Sequence, residues 1–279
     1  MLEHHPVVCN YTVTVPKASP RSDLARVSRA AHSGLVAVPD AARALGIAPA
    51  AAAARLAALK RRGWLRHVRR GLFLILPLEA EPSGATTVED AWILGKQLFA
   101  PCYVGGWSAA EHWGLTEQIF RPIFVASGAH VRRSRLTFLG AEFRIAKIPR
   151  RRIEGASAVW RGRERVLVSD RELTIADALI APDWVGGFRH LAQIIRTYHD
   201  SKEWNSTRLV ARMDHLGKGA GFKRLGWLLE LVFPTETDLI TLCLRRRSAG
   251  LIAVDPRVRA SGRINKRWGL RINVTLDDR

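Results

Sequence analysis

Hydrophobic positions between residues 34 and 76 recur first at helical spacing and then in the alternating order of a strand pair. Pro39 and Asp40 predict the start of a short helix, with Asp40 as its cap. Gly46 ends this helix, because glycine accepts the positive φ that a sharp turn requires. Pro49 then opens a second helix at a first-turn position. The buried stripe of this second helix is predicted to consist of Ala52, Leu56 and Leu59.

A basic β-hairpin is predicted after the second helix. Gly63 ends that helix, a strand begins at Trp64-Leu65, Arg69-Arg70-Gly71 forms the tip, and residues 72–76 make the returning strand. Two helices joined by a sharp turn and followed by a hairpin are the outline of a winged helix-turn-helix, which places its second helix in the DNA major groove. We therefore expect such a domain over residues 20–78, with double-stranded DNA as its partner.

The charge of this segment supports the same interpretation. Residues 20–78 hold eleven Lys or Arg and two acids, and the whole chain has a formal net charge of +19, so its surface attracts polyanions. The alternative interpretation is a charged surface that faces solvent and binds nothing. The cations cluster at the end of the second helix and in the hairpin, however, which favours contacts with phosphates. The candidate DNA-binding residues are Ala50, Ala51, Arg55, Lys60, Arg61, Arg62, Arg66, Arg69 and Arg70.

The first turn of the second helix limits which DNA bases the domain can recognise. Base contacts normally come from this turn, and here it is Ala48-Pro49-Ala50-Ala51, which has no hydrogen-bonding side chain. Alanine can touch a thymine methyl group, and Arg55 is the first residue of the helix that can contact guanine with two hydrogen bonds. We expect contacts to phosphates, contacts from the wing and DNA shape to dominate binding.

The rest of the chain predicts an α+β protein in which a larger mixed α/β domain follows the winged helix. Residues 1–19 form a predicted flexible extension, residues 79–87 a linker rich in Pro, Gly and acids, and residues 88–279 the larger domain. Within it we expect helices at 88–99, 108–113, 174–180, 188–199, 206–215 and 222–233, strands at 102–104, 123–126, 136–139, 142–148 and 165–169, and closing strands within 251–276.

Composition points to the cytoplasm. The chain has no run of eighteen apolar residues, which a membrane-spanning helix would need, and its first nineteen residues lack the pattern of a secretory signal. Cys9, Cys102 and Cys243 lie far apart and have no metal-ligand spacing, which is typical of buried thiols in a reducing compartment. We expect no cofactor and no membrane partner, and we favour a monomer because no heptad segment or dimer helix is visible.

Four segments of the larger domain carry motifs: GGWSAAEHWGLTEQIFRPIFVAS at 105–127, RELTIADALIAPDWVGGFRHLAQII at 171–195, KRLGWLLELV at 223–232 and INKRWGLRINV at 264–274. In this order, behind a winged helix, they resemble the AbiEi-type antitoxins, and the resemblance covers residues 22–275. It implies an antitoxin that represses its own operon. The winged helix would bind repeats in the promoter, and the C-terminal domain would counteract a nucleotidyltransferase-like toxin.

The resemblance also places Arg224, Gly226 and Glu230 in the helix motif of the family. The hydrophobic pattern of that helix predicts a core stripe made of Phe222, Leu225, Leu229 and Phe233. Arg224 and Glu230 are expected to face away from this stripe, and they are therefore candidates for an antitoxin interface.

A second basic face is a further candidate site. Arg245, Arg246 and Arg247, together with the span 257–271, hold nine Lys or Arg. This face could lengthen the DNA footprint or meet an RNA-binding toxin or its RNA substrate, and the alternative is an Arg-rich solvated surface. Charge alone leaves both interpretations open.

Two other functional classes are alternatives to the antitoxin. A stand-alone transcription regulator would use the larger domain to sense a ligand or partner. A metal-dependent nuclease could use Pro182-Asp183 with Asp200-Ser201-Lys202, but a predicted helix separates the two pairs, whereas this chemistry needs converging carboxylates. We therefore expect no catalytic residues, no metal site and no enzyme activity.

Overall fold

A computed structural model describes residues 19–31, 34–76, 90–162, 164–259 and 261–276. The chain divides into two units, Met1–Gly84 and Ala85–Arg279, at a point inside the predicted linker 79–87. That linker, and residues 1–18 of the predicted extension, lie outside the described residues. The overall class is α+β, as predicted.

The N-terminal unit is a winged helix-turn-helix. Its elements in chain order are α1 (Pro20–Arg29), β1 (Leu35–Ala37), α2 (Val38–Leu45), α3 (Pro49–Arg61), β2 (Leu65–Arg69) and β3 (Leu72–Ile75). β3 lies in the middle of a three-stranded antiparallel sheet, between β1 and β2. The predicted stripe of Ala52, Leu56 and Leu59 is buried in the core of this unit.

Two local details of this unit differ from the sequence prediction. α2 begins at Val38, before Pro39, and its N-cap is Ala37, so the prediction that Asp40 caps the helix is wrong. Asp40 lies in the first turn instead, where its negative charge is favourable near the positive end of the helix dipole. α1 was not predicted as a separate element. Its N-cap is Ser19, whose hydroxyl accepts a hydrogen bond from the backbone N–H of Ser22.

The C-terminal unit begins with three α-helices, one 3-10 helix and six strands, which are interleaved along the chain. They are α4 (Ala91–Phe99), β4 (Cys102–Val104), α5 (Gly106–His112), β5 (Ile123–Ser127), β6 (Arg135–Phe138), β7 (Ala141–Lys147), a 3-10 helix (Arg150–Gly155), β8 (Ala156–Arg161), β9 (Glu164–Ser169) and α6 (Arg171–Ile180). The strands form one mixed sheet in the order β6-β7-β5-β4-β9-β8.

The remainder of the unit is mainly helical. It contains a 3-10 helix (Pro182–Val185), α7 (Phe188–His199), α8 (Ser206–Leu216), α9 (Gly219–Val232), α10 (Thr237–Arg246), β10 (Ile252–Ala253), β11 (Ile264–Asn265) and β12 (Leu270–Arg271). The three last strands form a small sheet in the order β10-β12-β11. β8 and α10 were not predicted from the sequence, whereas α7 has the predicted bounds.

The two faces of the six-stranded sheet are covered by different helices. On one face, Val104, Val166 and Val168 pack with Trp92 and Ile93 of α4. On the other face, the main core of the unit forms around α6, α7 and α9, and Tyr103, Ala156 and Leu167 belong to that side. Among the described residues no single helix is long and apolar enough to cross a bilayer, although α2 and α3 would pass such a test as a bent pair.

Candidate nucleic-acid interface

The helix pair α2–α3 has the geometry of a helix-turn-helix. The two axes are bent by 100°, within the range of about 90–120° typical of this motif. The turn contains Gly46, which has a φ of 68°, and Ile47, whose N–H donates to the carbonyl of Ala42 at 3.1 Å. A glycine at the turn is required here because a side chain at this φ would be strained.

α3 turns one face to the core and the other to solvent. Ala52, Leu56 and Leu59 are buried, whereas Ala50, Ala51, Arg55, Lys60 and Arg61 are exposed. The first turn therefore offers solvent only small apolar side chains, followed one turn later by a single guanidinium.

The wing is the hairpin β2–β3, and its tip is tied to the first helix of the motif. Gly71 at the tip accepts a hydrogen bond from the N–H of Val38 at 2.9 Å, which fixes the hairpin against the start of α2. The register shifts between His67 and Arg69, and such an irregularity locally increases the twist of a strand. Arg69 and Arg70 are exposed at this tip.

We call the α3–wing surface the set of exposed residues that the sequence singled out for DNA binding. It consists of Ala50, Ala51, Arg55, Lys60, Arg61, Arg62, Arg66, Arg69 and Arg70, and all nine are solvent-exposed. The guanidinium of Arg62 lies 5.7 Å from the centre of the Trp64 ring, which restrains one cation at the junction of α3 and the wing.

Each of the two acids of this segment is engaged by an arginine of the same unit. Asp40 pairs with Arg43 along α2. Asp23 of α1 is buried, and its carboxylate accepts a hydrogen bond from Nη1 of Arg55 at 3.2 Å. Asp40 and Asp23 are therefore paired with Arg43 and Arg55 and not with the cations at the end of α3.

The hydrogen bond between Arg55 and Asp23 was not predicted from the sequence. It means that Arg55, expected to contact guanine, is partly engaged within its own unit. The Arg55 side chain is 51% exposed, so part of its guanidinium still faces solvent while one nitrogen is bound to Asp23. A buried carboxylate needs such a partner, because an unpaired charge in the interior is costly. Sequence spacing could not reveal the pair, since thirty-two positions separate its members.

Arg224 does not face away from the core, so the prediction that it forms an antitoxin interface is wrong. It is 3% exposed, and its guanidinium donates to the carbonyls of Leu179, Ile180, Ala253 and Val254 at 2.8–3.2 Å. The first two are carbonyls at the end of α6, which lack partners within their own helix. Burial lowers the pKa of Arg224 to about 10, so the side chain stays charged at neutral pH.

Glu230 is half-buried and binds the C-terminal segment of its own chain. Its carboxylate accepts a hydrogen bond from Nε1 of Trp268 at 2.5 Å and pairs with Arg267 at 2.7 Å. The indole of Trp268 is fully buried and lies against Gly226, where a Cβ would overlap it. The sequence segments 223–232 and 264–274 therefore dock against each other, and the motif residues on α9 hold that contact.

The second basic face is exposed but partly occupied by contacts within the chain. Arg245, Arg246 and Arg247 are all exposed at the end of α10. Arg246 pairs with Asp214 and lies over the ring of Phe222 at 5.9 Å. Arg247 donates to the carbonyl of Leu244, which leaves Arg245 as the least restrained cation of the three.

A network of buried carboxylates orients arginines beside α6. Asp177 accepts hydrogen bonds from Arg152 and from the hydroxyl of Tyr103, the latter at 2.5 Å. Burial raises the pKa of Asp177 to about 6, against the opposing effect of the Arg152 guanidinium. Two turns earlier, Asp170 caps α6 and accepts hydrogen bonds from two arginines of α8.

The residues considered for a nuclease do not form a metal site. Asp183 pairs with Arg144 at 3.4 Å, while Asp200 is exposed beyond the end of α7 and lies 3.4 Å from Nδ1 of His199. Within the described ranges, no group of three or more His, Cys, Asp or Glu is arranged to hold a metal ion. Asp183 and Asp200 are thus each next to a different basic side chain, and neither belongs to such a group.

Comparisons with known proteins add little to this picture. No protein-family model matches the chain, and no curated protein matches it in sequence. Among solved structures, the RV2827C protein from Mycobacterium tuberculosis is similar over 88% of this chain and 88% of that chain, with 17% sequence identity and a TM-score of 0.48. A likeness at this level says nothing about what the present chain binds.

Proposed function

We propose that this protein binds double-stranded DNA through the α3–wing surface. One observation carries the proposal: two helices bent by 100° present an exposed cationic face, and a hairpin tied to the first helix adds Arg69 and Arg70 beside it. A cationic module of this shape fits a major groove with the wing on the neighbouring backbone. Polyanion binding by such a surface needs no further cofactor.

Phosphate contacts account for most of the expected affinity. The exposed first turn of α3 offers only Ala50 and Ala51 to the bases, and Arg55 is partly held by Asp23. Lys60, Arg61, Arg62 and the wing arginines can each neutralise a phosphate, which makes affinity strongly dependent on salt. Sequence selectivity would then come from methyl contacts, one guanidinium and the shape of the groove.

We further propose that the DNA-binding protein is an antitoxin that represses its own operon and counteracts a nucleotidyltransferase-like toxin. The support is the ordered set of four motifs behind a winged helix, at 105–127, 171–195, 223–232 and 264–274. The competing proposal is a stand-alone transcription regulator whose larger domain senses a ligand. Because Arg224 is buried, a toxin contact would have to use other surfaces, among which the second basic face of Arg245 to Arg247 is exposed.

DNA binding is tested with the full-length protein and a labelled duplex from the region upstream of its own gene. Arg62→Gln and Arg70→Gln should each weaken binding and reduce the slope of log K against log salt by about 0.9, the value for one lost phosphate contact. Arg29→Gln removes the same charge from α1 and is the matched control. If all three variants retain the wild-type slope, the α3–wing surface does not bind DNA.

The antitoxin proposal needs a separate test in cells. The neighbouring gene product is expressed alone and together with this protein, and growth is measured. Rescue from toxicity supports the antitoxin, whereas toxicity without rescue favours the stand-alone regulator. The Arg62→Gln and Arg70→Gln variants should rescue as well as the wild type, because neutralisation is assigned to the larger domain.

A further inference from the structure

An exposed tryptophan lies on the edge of the six-stranded sheet. Trp160 is 66% exposed, a larger exposed fraction than that of any other Trp, Phe or Tyr in the part of the chain that the structure describes. It belongs to β8, the last strand in the order of the sheet. Tryptophan is enriched at binding interfaces, because its large apolar ring also carries a polar N–H.

A guanidinium lies over the ring of Trp160. Arg165 of β9 is directly opposite Trp160 in the antiparallel register, and its Cζ is 5.5 Å from the centre of the ring. The neighbouring pair on the other face of the hairpin is engaged elsewhere, since Arg161 binds Asp90 and Glu164 binds Lys96. Trp160 and Arg165 therefore form a stacked pair of a ring and a cation that faces solvent.

The same face of β8 leads to two oriented arginines. Side chains alternate along a strand, so Ala156, which packs on the α6 side of the sheet, shares its face with Trp160. Directly before β8, Nη1 of Arg212 comes within 3.2 Å of the place where a Cβ of Gly155 would be. Trp160 is four steps along the extended strand from Ala156, which corresponds to about 13 Å.

The arginines of α8 are held by buried acids: both bind Asp170, Arg208 also lies 3.5 Å from Glu172, and the Arg212 side chain keeps 29% of its surface exposed. Arg208 and Arg212 both donate to Oδ2 of Asp170, Arg208 at 3.3 Å, and Arg208 is 57% exposed. A guanidinium has five N–H donors, so such an anchor fixes its orientation and leaves donors for a phosphate.

From this arrangement we propose that the strip from Arg208 and Arg212 to Trp160 binds single-stranded nucleic acid. A base would stack on the open side of the Trp160 ring, and phosphates would contact Arg165, Arg208 and Arg212. Aromatic rings flanked by cations are the recurrent platform for unpaired bases. A duplex keeps its base faces stacked inside and cannot use the ring, so this surface and the α3–wing surface select different partners. The inference is independent of the function proposed for the winged helix.

Affinity of the full-length protein for labelled oligouridine, oligothymidine and a duplex tests the proposal. Trp160→Ala should weaken binding to both single strands on the order of 5- to 150-fold, the effect of losing one stacked base, and leave duplex binding unchanged. Trp160→Phe keeps a ring and should retain most of the affinity. Ile119→Ala is the matched control, because Ile119 is 84% exposed and lies outside the strip.

Salt dependence separates the stacking contact from the phosphate contacts. Trp160→Ala should lower affinity without changing the salt slope, whereas Arg165→Gln should reduce the slope by about 0.7 for a single strand. The comparison is repeated in the Arg62→Gln, Arg70→Gln background, in which duplex binding is weakened, so that failure of either proposal is recognised separately. Preference between oligouridine and oligothymidine distinguishes RNA from DNA. Equal binding by the wild type and Trp160→Ala would overturn the proposal and leave the edge of β8 to a protein partner.

Discussion

Gly226→Ala is expected to be strongly destabilising, although alanine is the better helix former. A Cβ at position 226 would overlap Cη2 and Cζ3 of Trp268 and would lie 2.8 Å from Cζ2, whereas real Cβ contacts are essentially never closer than 3.0 Å. The indole cannot easily yield, because it is fully buried and its N–H is bound to Glu230. Either the helix α9 or the segment that carries Trp268 must move.

The change in the free energy of unfolding caused by Gly226→Ala is the sum of a gain in helix propensity and a loss from the clash. Replacing glycine by alanine in a helix gains about 1 kcal/mol, and forcing extra atoms into a packed core costs about 1–3 kcal/mol. If the indole is displaced, the loss approaches the 3–5 kcal/mol typical of removing a buried tryptophan. We therefore expect Gly226→Ala to lower the free energy of unfolding by about 2–4 kcal/mol, measured by urea denaturation followed by circular dichroism.

Two further variants test whether the clash with Trp268 causes the loss of stability. Gly221→Ala lies on the same helix, but the atom closest to its Cβ would be the flexible end of Met213 at 3.3 Å, and Leu179 and Ile180 would be at ordinary contact distances, so its stability should stay within about 1 kcal/mol of the wild type. In the double variant Gly226→Ala, Trp268→Leu, the clash has been removed. The double variant should be no less stable than Trp268→Leu alone. Additive losses, or a Gly226→Ala protein as stable as the wild type, would refute the contact.

Three other predictions concern buried charges and thiols. Because burial raises the pKa of Asp177 from 3.8 to about 6, the folded protein keeps a proton that the unfolded chain releases between these values. The stability of the wild type relative to Asp177→Asn should fall by about 2 kcal/mol as the pH rises from 4 to 7, and a constant difference in paired urea titrations would contradict this. Arg55→Ala leaves the carboxylate of Asp23 buried without its ion pair and should cost about 1–3 kcal/mol in thermal unfolding, with most of the loss recovered when Asp23→Asn is added. Burial raises the pKa of the Cys243 thiol to about 12, so iodoacetamide at neutral pH should label it only after unfolding, as mass spectrometry of its peptide would show.

The N-terminal unit could be predicted from sequence because its signals are local. Gly46, Pro49 and the Ala52, Leu56, Leu59 stripe act within one or two turns of helix, and the structure confirms each of them. The pairing of Arg55 with Asp23 could not be predicted, since it depends on how α1 packs against α3.

The larger unit was harder to predict for physical reasons that particular elements show. β8 reads ASAVWR, and its small and exposed residues give no clear alternation of apolar and polar positions. The order of the sheet depends on parallel pairs between distant strands, such as β5 with β7 and β4 with β9, which no local pattern encodes. Arg224 was misplaced because α9 is buried on all sides over residues 221–229, so a residue off the apolar stripe is still inside the protein.

The polar residues of α9 explain how a buried helix can carry two cations. Lys223 is almost fully buried and donates to the carbonyl of Ala249 at 3.2 Å and to that of Gly250. Arg224 serves the end of α6 and the strand β10 in the same way. Lys223 thus holds two carbonyls of an exposed loop, and Arg224 satisfies helix-end carbonyls that have no partner within α6. Because their charged groups are bound to these carbonyls, Lys223 and Arg224 cannot contact a partner protein. Any partner of the larger unit must therefore bind surfaces that these contacts leave free, and among those described the β8–β9 hairpin, through Arg165, and the end of α10 present exposed cations.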